Sequence, residues 1–405
     1  MKSVNKMNIP FSPPDITESE VCEVADALRS GWITTGPKVK RLESLLSQYV
    51  GTEKCVCLNS QTACAELSLR LFGIGPGDEV ITSAYTYSAS ASVIAHVGAK
   101  IVLVDTQKDS LEMDYDAMEE AINEHTKAVI PVDLGGVPCD YDRIFAAVER
   151  KRELFRPSEN PVQQALGRVA VIADAAHALG AMRGGKMVGQ IADFSNFSFH
   201  AVKNFTTAEG GMITWRSADG MDSEAIYSRL QLMSLHGQSK DAYSKAVGNW
   251  EYDILGLWYK CNMTDTAAAI GIAQYSRYPD MLRRRREIIG KYDDAFRPMG
   301  IKTLEHYTEE YTSSGHLYIT NVPGIGDKER DQIIRVMGTK GVSCNVHYKP
   351  LPMFTAYREL GFDIAAYPNA YAHFVNEITL PLHTRLSDEE VEYVIDCYRD
   401  ALRGV

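Results

Sequence analysis

The chain of 405 residues has no C-x-x-C pair, and its acids outnumber its bases. It also lacks any uninterrupted apolar run approaching about eighteen residues, the length a membrane-spanning helix needs. Each absence removes a class of function. The eight cysteines include one close pair, Cys55 and Cys57, inside a strand-like run; they read as reduced and mostly buried thiols. A formal net charge of -11, from 42 Lys and Arg against 53 Asp and Glu, argues against a general nucleic-acid surface. His200, His236, His316 and His347 are too scattered for a metal motif, and no metal is expected. Met1 to Pro14 carries no apolar segment of the signal-peptide kind, so a cytoplasmic protein is expected. Gly73-Ile74-Gly75-Pro76-Gly77 is rich enough in glycine for a nucleotide loop. It follows a helical pattern and precedes a strand pattern, the reverse of the dinucleotide fingerprint, and reads as a helix stop and turn.

What is present is a 45% hydrophobic composition, enough for two domains with a core each. Between Lys54 and Trp215, short runs rich in Val and Ile alternate with helical patterns at βαβ spacing, which predicts an α/β domain around a mostly parallel, covered sheet. Seven strands are expected, at 54–58, 79–82, 100–104, 128–132, 169–173, 195–199 and 211–215, with helices at 62–72, 88–96, 114–122 and 141–150. Near Thr264 the pattern becomes a long helix to about Phe296, followed by mixed elements at 316–320, 328–340, 342–346 and 387–403. The expected division is an arm at 1–14, a large domain at 15–260 and a smaller α/β domain at 261–405. The charged stretch Glu149 to Gly167, with two prolines, reads as a surface excursion.

Against this background Lys203 stands out, in Ser198-Phe199-His200-Ala201-Val202-Lys203, with Asp174-Ala175-Ala176-His177 delivered by an earlier strand end. Burial near a second cation lowers a lysine pKa and makes the amine nucleophilic, while a carboxylate facing a pyridine nitrogen keeps it protonated and electron-accepting. The pairing suits pyridoxal phosphate chemistry. Taken singly, each residue has an ordinary reading. Lys203 is then an exposed lysine after a strand, Asp174 a helix cap, Ser198 a partner for a loop amide, and His177 and Tyr87 plain core. Ser60 and Thr62 would cap a helix that binds nothing.

Those two blocks, the one ending in Lys203 continued by Asn204-Phe205-Thr206-Thr207-Ala208-Glu209-Gly210-Gly211, resemble the DegT/DnrJ/EryC1/StrS family of nucleotide-sugar aminotransferases. Three more blocks agree in order: Gly31-Trp32-Ile33-Thr34-Thr35-Gly36-Pro37, Gly77-Asp78-Glu79-Val80-Ile81-Thr82 and Tyr259-Lys260-Cys261-Asn262-Met263-Thr264-Asp265. The resemblance runs from about Pro10 to the C-terminus. It implies the fold-type I transferase fold of pyridoxal phosphate enzymes, working as a homodimer with shared active sites. It implies that Lys203 bonds the cofactor, that Asp174 faces the pyridine nitrogen, that His177 lies near the phenolic oxygen and that Tyr87 lies against the ring face. The phosphate would fall to Ser198, to Gln61 and Thr62 at a helix start, and to Asn262 of the neighbouring subunit. Gln61 departs from the pattern, standing where many relatives have glycine or alanine, and the 149–167 segment is longer than the family leads one to expect.

The implied reaction is a two-stage transamination in which L-glutamate yields its amino group and 2-oxoglutarate leaves. A nucleotide-linked ketosugar then receives the amine, with Lys203 as acid and base in both stages. Ser198-Phe199-His200 with Glu209-Gly210-Gly211 resembles the members that aminate C4 rather than C3. Trp32, Thr35, His200, His316 and His347 are candidate substrate contacts. A C3 aminotransferase, a sugar dehydratase, which usually carries histidine in place of the lysine, and a non-catalytic regulator on the same scaffold are the alternatives. The run Arg283-Arg284-Arg285-Arg286 reads as a solvated or dimer-facing helix surface.

Overall fold

The structure, a computed structural model, describes residues 6–217, 221–239 and 251–404, so the expected arm is described from Lys6 onward. Its chain alternates strand and helix through the first half. Helices α1 (Glu18–Ser30) and α2 (Pro37–Val50) lead into β1 (Cys55–Leu58), α3 (Gln61–Leu71), β2 (Glu79–Ser83), α4 (Ala89–His96) and β3 (Lys100–Val104). Then come α5 (Tyr115–Ala121), β4 (Thr126–Ile130), α6 (Tyr141–Arg150), α7 (Pro161–Leu166), β5 (Ala170–Asp174), the short β6 (Met182–Arg183) and β7 (Lys186–Met187), β8 (Phe194–Ser198) and β9 (Gly211–Trp215). β1, β9, β8, β5, β4, β2 and β3 form one seven-stranded sheet in that order. β3, β2, β4, β5 and β8 run parallel to one another, whereas β9 is antiparallel to both β8 and β1. Most strands carry apolar runs rather than alternating ones, because helices cover both faces and every position in β1, β4, β5 and β9 is buried; β8, with Ser195 and Asn196 buried, is the exception.

After α8 (Ser223–Ser234) the 32-residue α9 (Asp265–Phe296) starts at a Thr264 cap. Its first half packs Ala268, Ile272, Tyr278 and Met281 with α2 and β1, while its second half places Ile288, Ile289, Tyr292 and Phe296 in a separate core. β10 (Lys302–Thr303), β12 (Tyr318–Asn321) and β13 (Glu377–Leu380) make a small antiparallel sheet, and β11 (Tyr311–Thr312) joins β6 and β7. Helices α10 (Asp327–Thr339), α11 (Thr355–Glu359), α12 (Pro368–Val375) and α13 (Asp388–Leu402) complete the chain. The second core takes in Ile333 and Met337 of α10, Val394 and Tyr398 of α13, and Ile9 from the arm. No helix among the described residues is long and apolar enough to cross a membrane.

Three expectations change. The 342–346 segment is not a ladder strand; it makes only single bridges, Val342 to Ile9 and Asn345 to Thr379. The 149–167 segment is no loose excursion, since α7 docks on the end of α3 through Asn160 Nδ2 to Leu71 O (3.0 Å) and Gln163 Nε2 to Phe72 O (2.6 Å), with Phe155 buried beside it. The Arg283 to Arg286 run is not a uniform surface. Arg285 is buried, and its Nη1 donates to Gly315 O, His316 O and Leu382 O, tying α9 to the segments before β12 and after β13.

Candidate active site

Parallel strands deliver their carboxyl ends to one edge of the sheet, the usual place for a ligand crevice in α/β folds. β5 ends on Asp174 and β8 on Ser198, in adjacent strands paired through Asp174 and Asn196. Beyond Ser198 the chain closes on itself. Phe199 N–H donates to Gly210 O (2.9 Å), Thr207 N–H returns to Phe199 O (2.9 Å) and Lys203 N–H closes a turn on His200 O (2.9 Å). Phe199 and Phe205 flank that turn, packed edge to face at 4.9 Å and buried. Ala208 takes a left-handed φ of 68°, steadied by Thr206 Oγ1 accepting its N–H at 2.9 Å. Lys203 therefore projects from a short loop pinned at both ends.

It projects into a cleft of about 370 Å³, whose walls include Asp174, His177, Ser198, Tyr87, Gln61 and Thr62. His200, His316 and His347 also reach it. Trp32, Thr35 and Asn262 do not line it; they gather in a second group, with Trp32 Nε1 donating to Thr35 O (3.0 Å), Thr35 Oγ1 to Met263 O (2.6 Å) and Asn262 Nδ2 contacting Thr35 Oγ1. That group lies next to the end of β1, through the bridge between Asn262 and Leu58.

Burial sets the electrostatics. It lowers the Lys203 ammonium to about 8, although Asp174 pulls the other way, so an appreciable fraction is free amine near neutral pH. It raises the Asp174 carboxyl, opposed by the Ser90 hydroxyl donating to Oδ2 at 2.6 Å, by Ala176 N–H on Oδ1 at 3.1 Å, and by Lys203. A buried acid so placed gains from a cation at its open side, which is what a protonated pyridine supplies. Burial and Lys203 hold His177 neutral, its pKa far below the usual imidazole value. Its tautomer follows from geometry: Nδ1 accepts Gly135 N–H at 3.1 Å, so the hydrogen sits on Nε2, 3.3 Å from Tyr348 Oη. His316 takes the opposite tautomer. Asn204 Nδ2 donates to Ser314 O (2.9 Å), so its Oδ1 accepts from His316 Nδ1 (2.9 Å), and the His177 and His316 rings lie tilted by 39° with centroids 4.3 Å apart.

The residues fit pyridoxal phosphate. Ser60 caps α3 by accepting Ala63 N–H at 3.1 Å, and just inside this N-terminus Gln61 Nε2 is buried without a partner. An unpartnered buried donor beside free helix amides suits an anion. Gly211 keeps this corner tight, because a Cβ there would stand 2.5 Å from Gln61 N and 2.8 Å from Phe197 O. Thus one end of the cleft suits a phosphate and the other presents Lys203 and Asp174.

Sequence reasoning missed Ser90, Thr86 and Phe11. Ser90 holds Asp174 and is itself held by Thr86 (2.9 Å). In the sequence both are serine and threonine at a helix start, where capping is the ordinary reading, and nothing local marks an acid on a distant strand. Phe11 comes from the arm, lines the cleft and stacks on His347 at 5.5 Å with an interplanar angle of 21°. A neighbouring Ser12 hydroxyl donates to Val202 O at 3.1 Å, so the arm touches the Lys203 loop itself.

Comparison with known proteins points the same way. The pattern of the DegT/DnrJ/EryC1/StrS aminotransferase family matches residues 14–399. The spore coat polysaccharide biosynthesis protein SpsC of Bacillus subtilis is 36% identical over 408 residues, covering 99% of this chain and 99% of that one. Among solved structures, a protein of Streptococcus pneumoniae classed as a sugar aminotransferase, in its PLP form, is 56% identical with a TM-score of 0.95, over 98% of this chain and 99% of that one. The same protein is also solved with PMP. PseC of Helicobacter pylori, an aminotransferase in the biosynthesis of pseudoaminic acid, is 25% identical with a TM-score of 0.85, covering 98% and 100% of the two chains.

Proposed function

Since the chain belongs to the DegT/DnrJ/EryC1/StrS aminotransferase family and is a sugar aminotransferase working with pyridoxal phosphate, we propose that it transfers the amino group of L-glutamate to the 4-keto carbon of a nucleotide-linked sugar. One observation carries the choice of carbon. His200 and Glu209, the residues on which the resemblance to C4-aminating members rests, both line the cleft and face each other, Nε2 to Oε1, at 3.6 Å.

When bound, the cofactor supplies the electron sink that lets the donor's Cα give up its proton. The chain's residues do the rest. Lys203 Nζ, with its pKa brought to about 8, would take the proton from that carbon and deliver it to C4′ of the cofactor. Asp174 would hold the proton on the pyridine nitrogen, with Ser90 and Ala176 N–H fixing the carboxylate's orientation. His177 Nε2–H would be a fixed donor for the phenolic oxygen, since Gly135 occupies its other nitrogen. Ser198, Gln61 and Thr62 would hold the phosphate, with Asn262 of a second copy closing the site in a homodimer. A run of exposed apolar side chains a few residues before Asn262 supports that assembly: Leu255 at 56%, Leu257 at 99% and Tyr259 at 42% exposure.

The product decides the regiochemistry. With glutamate and a panel of UDP-, GDP- and dTDP-linked 3-keto and 4-keto sugars, NMR of the product should place nitrogen on C4, with ping-pong kinetics in which 2-oxoglutarate leaves before the sugar binds; turnover of the 3-keto sugars with nitrogen on C3 sinks the assignment.

A further inference from the structure

His347 turns one side to the cleft and the other into the small sheet, where Glu377 and Thr379 of β13 meet it. Glu377, at the start of β13, has no exposed surface. One of its oxygens accepts His347 N–H at 2.8 Å and the other meets the Thr379 hydroxyl at 2.5 Å. The same Thr379 Oγ1 lies 3.0 Å from His347 Nδ1. One hydroxyl hydrogen thus stands between a carboxyl group and an imidazole, and it can point only one way. With Glu377 ionised, the hydroxyl donates to the carboxylate and Oγ1 accepts Nδ1–H, which leaves Nε2 a bare acceptor. With Glu377 protonated, the carboxyl hydrogen goes to Oγ1, the hydroxyl donates to Nδ1, and Nε2 carries the hydrogen.

We propose that Glu377 acts through Thr379 as a positioning residue that sets the tautomer of His347, and with it whether His347 offers the substrate a hydrogen-bond donor or an acceptor. Phe11, stacked on the imidazole, opposes rotation of the ring out of this arrangement. The charged form does not intervene, because burial and Lys203 push His347 down to about 3. Burial lifts Glu377 to about 8, with its bonds to Thr379 and His347 and the charge of Arg330 on α10 pulling it down, so both arrangements are accessible near neutral pH. The other titratable groups facing Glu377 are Tyr85 after β2, Cys344, Tyr348 and Tyr398 on α13, each raised by burial and neutral there. The donor form is the one that suits the acceptor-only oxygen of the sugar's keto group.

The test needs no sugar. In the holoenzyme with 15N-labelled histidine, long-range 1H–15N correlation spectra report the tautomer of each ring, and the His347 signals are those lost in His347→Gln. The wild-type Nδ1 and Nε2 shifts should exchange places between about pH 6.5 and 9.5. In Glu377→Gln the amide donates to Thr379 as the protonated acid does, so His347 should keep the Nε2–H form throughout; Thr379→Val should remove the pH dependence. Persistence of the exchange in either variant, or its absence in the wild type, overturns the proposal; if Glu377→Gln fails to fold, Thr379→Val decides. The consequence for substrate rests on the amination reading: acceptor kcat/KM should fall through about pH 8 in the wild type and lose that inflection in Glu377→Gln, with the glutamate half-reaction keeping its profile. A protein that aminates no ketosugar refutes that reading and leaves the spectra to judge the tautomer.

Discussion

The two roles proposed for Lys203, bonding the cofactor and moving the proton, separate experimentally. Lys203→Ala should lower the rate of 2-oxoglutarate release from glutamate by at least about 10²–10⁴-fold, the range for losing a positioned acid and base, while pyridoxamine phosphate still binds; both are read by absorbance. The pH dependence of cofactor loading tests its environment. A lysine lowered to about 8 is the attacking amine only when deprotonated, so apoprotein should take up pyridoxal phosphate faster as pH rises through about 8, then level off. Ser90→Ala should leave Asp174 one donor short; its carboxyl then sits higher still, and turnover should drop about tenfold at pH 8 with a smaller change in cofactor affinity. Lys203 and Asp174 were legible because strand ends present them in a recognisable order. Ser90 and Glu377 were not, because each meets its partner across the fold, and their own neighbourhoods read as a helix start and the head of a strand.

At the scale of elements, the legible parts are those whose pattern is written locally. The strands β1, β3 and β5 carry continuous apolar runs and were expected, whereas α2, with Val39, Leu42, Leu46 and Val50 at helical spacing, was not among the expected helices. α1 shows almost nothing of the kind, since it buries only Glu20 and Ala27 and is held by polar contacts, Glu20 to Gln274 and Arg277. The burial of Arg285 in the middle of four arginines was equally invisible, because three carbonyls from distant segments create its niche. A similar polar staple joins α2, β1 and α8: Glu43 is buried, accepts Cys57 N–H at 2.9 Å and Tyr227 Oη–H at 2.8 Å, and is raised by burial from 4.5 to about 7. Its sign is fixed by linkage. Between those values the native state holds a proton that the unfolded chain has released, so this contribution to stability is full below pH 4.5 and falls away as pH rises to about 7. Asp133, also raised to about 7, adds in the same sense. Thermal unfolding of the wild type should therefore show a loss on the order of 1–3 kcal/mol from Glu43 across that window, and Glu43→Gln should reduce the slope by that share, leaving the Asp133 contribution; an unchanged slope rejects the staple as a source.

The molecule as a whole presents one chemical asymmetry, a cleft complete in most of its parts beside a surface that water should not cover. Lys203, Asp174, His177, Ser198, Gln61 and Thr62 meet within one chain, whereas Asn262, Thr35 and Trp32 gather outside that cleft. The segment leading to Asn262 holds Leu257 at 99% exposure with Leu255 at 56%, and at the cleft mouth Tyr87 is 64% and Val202 39% exposed. Leaving such side chains in water forfeits roughly 1.5–3 kcal/mol each, and a second copy of the same surface recovers it for both protomers at once. If that copy also brings Asn262 to the phosphate, assembly and cofactor binding are one equilibrium, and weakening either weakens the other. Leu257→Asp should then shift sedimentation from dimer toward monomer and, at equal protein concentration, lower pyridoxal phosphate affinity. Raising the concentration should restore both together. A monomeric Leu257→Asp that binds the cofactor as tightly as the wild type would show that each chain completes its own phosphate site and that Asn262 serves only the Thr35 cluster in which it stands.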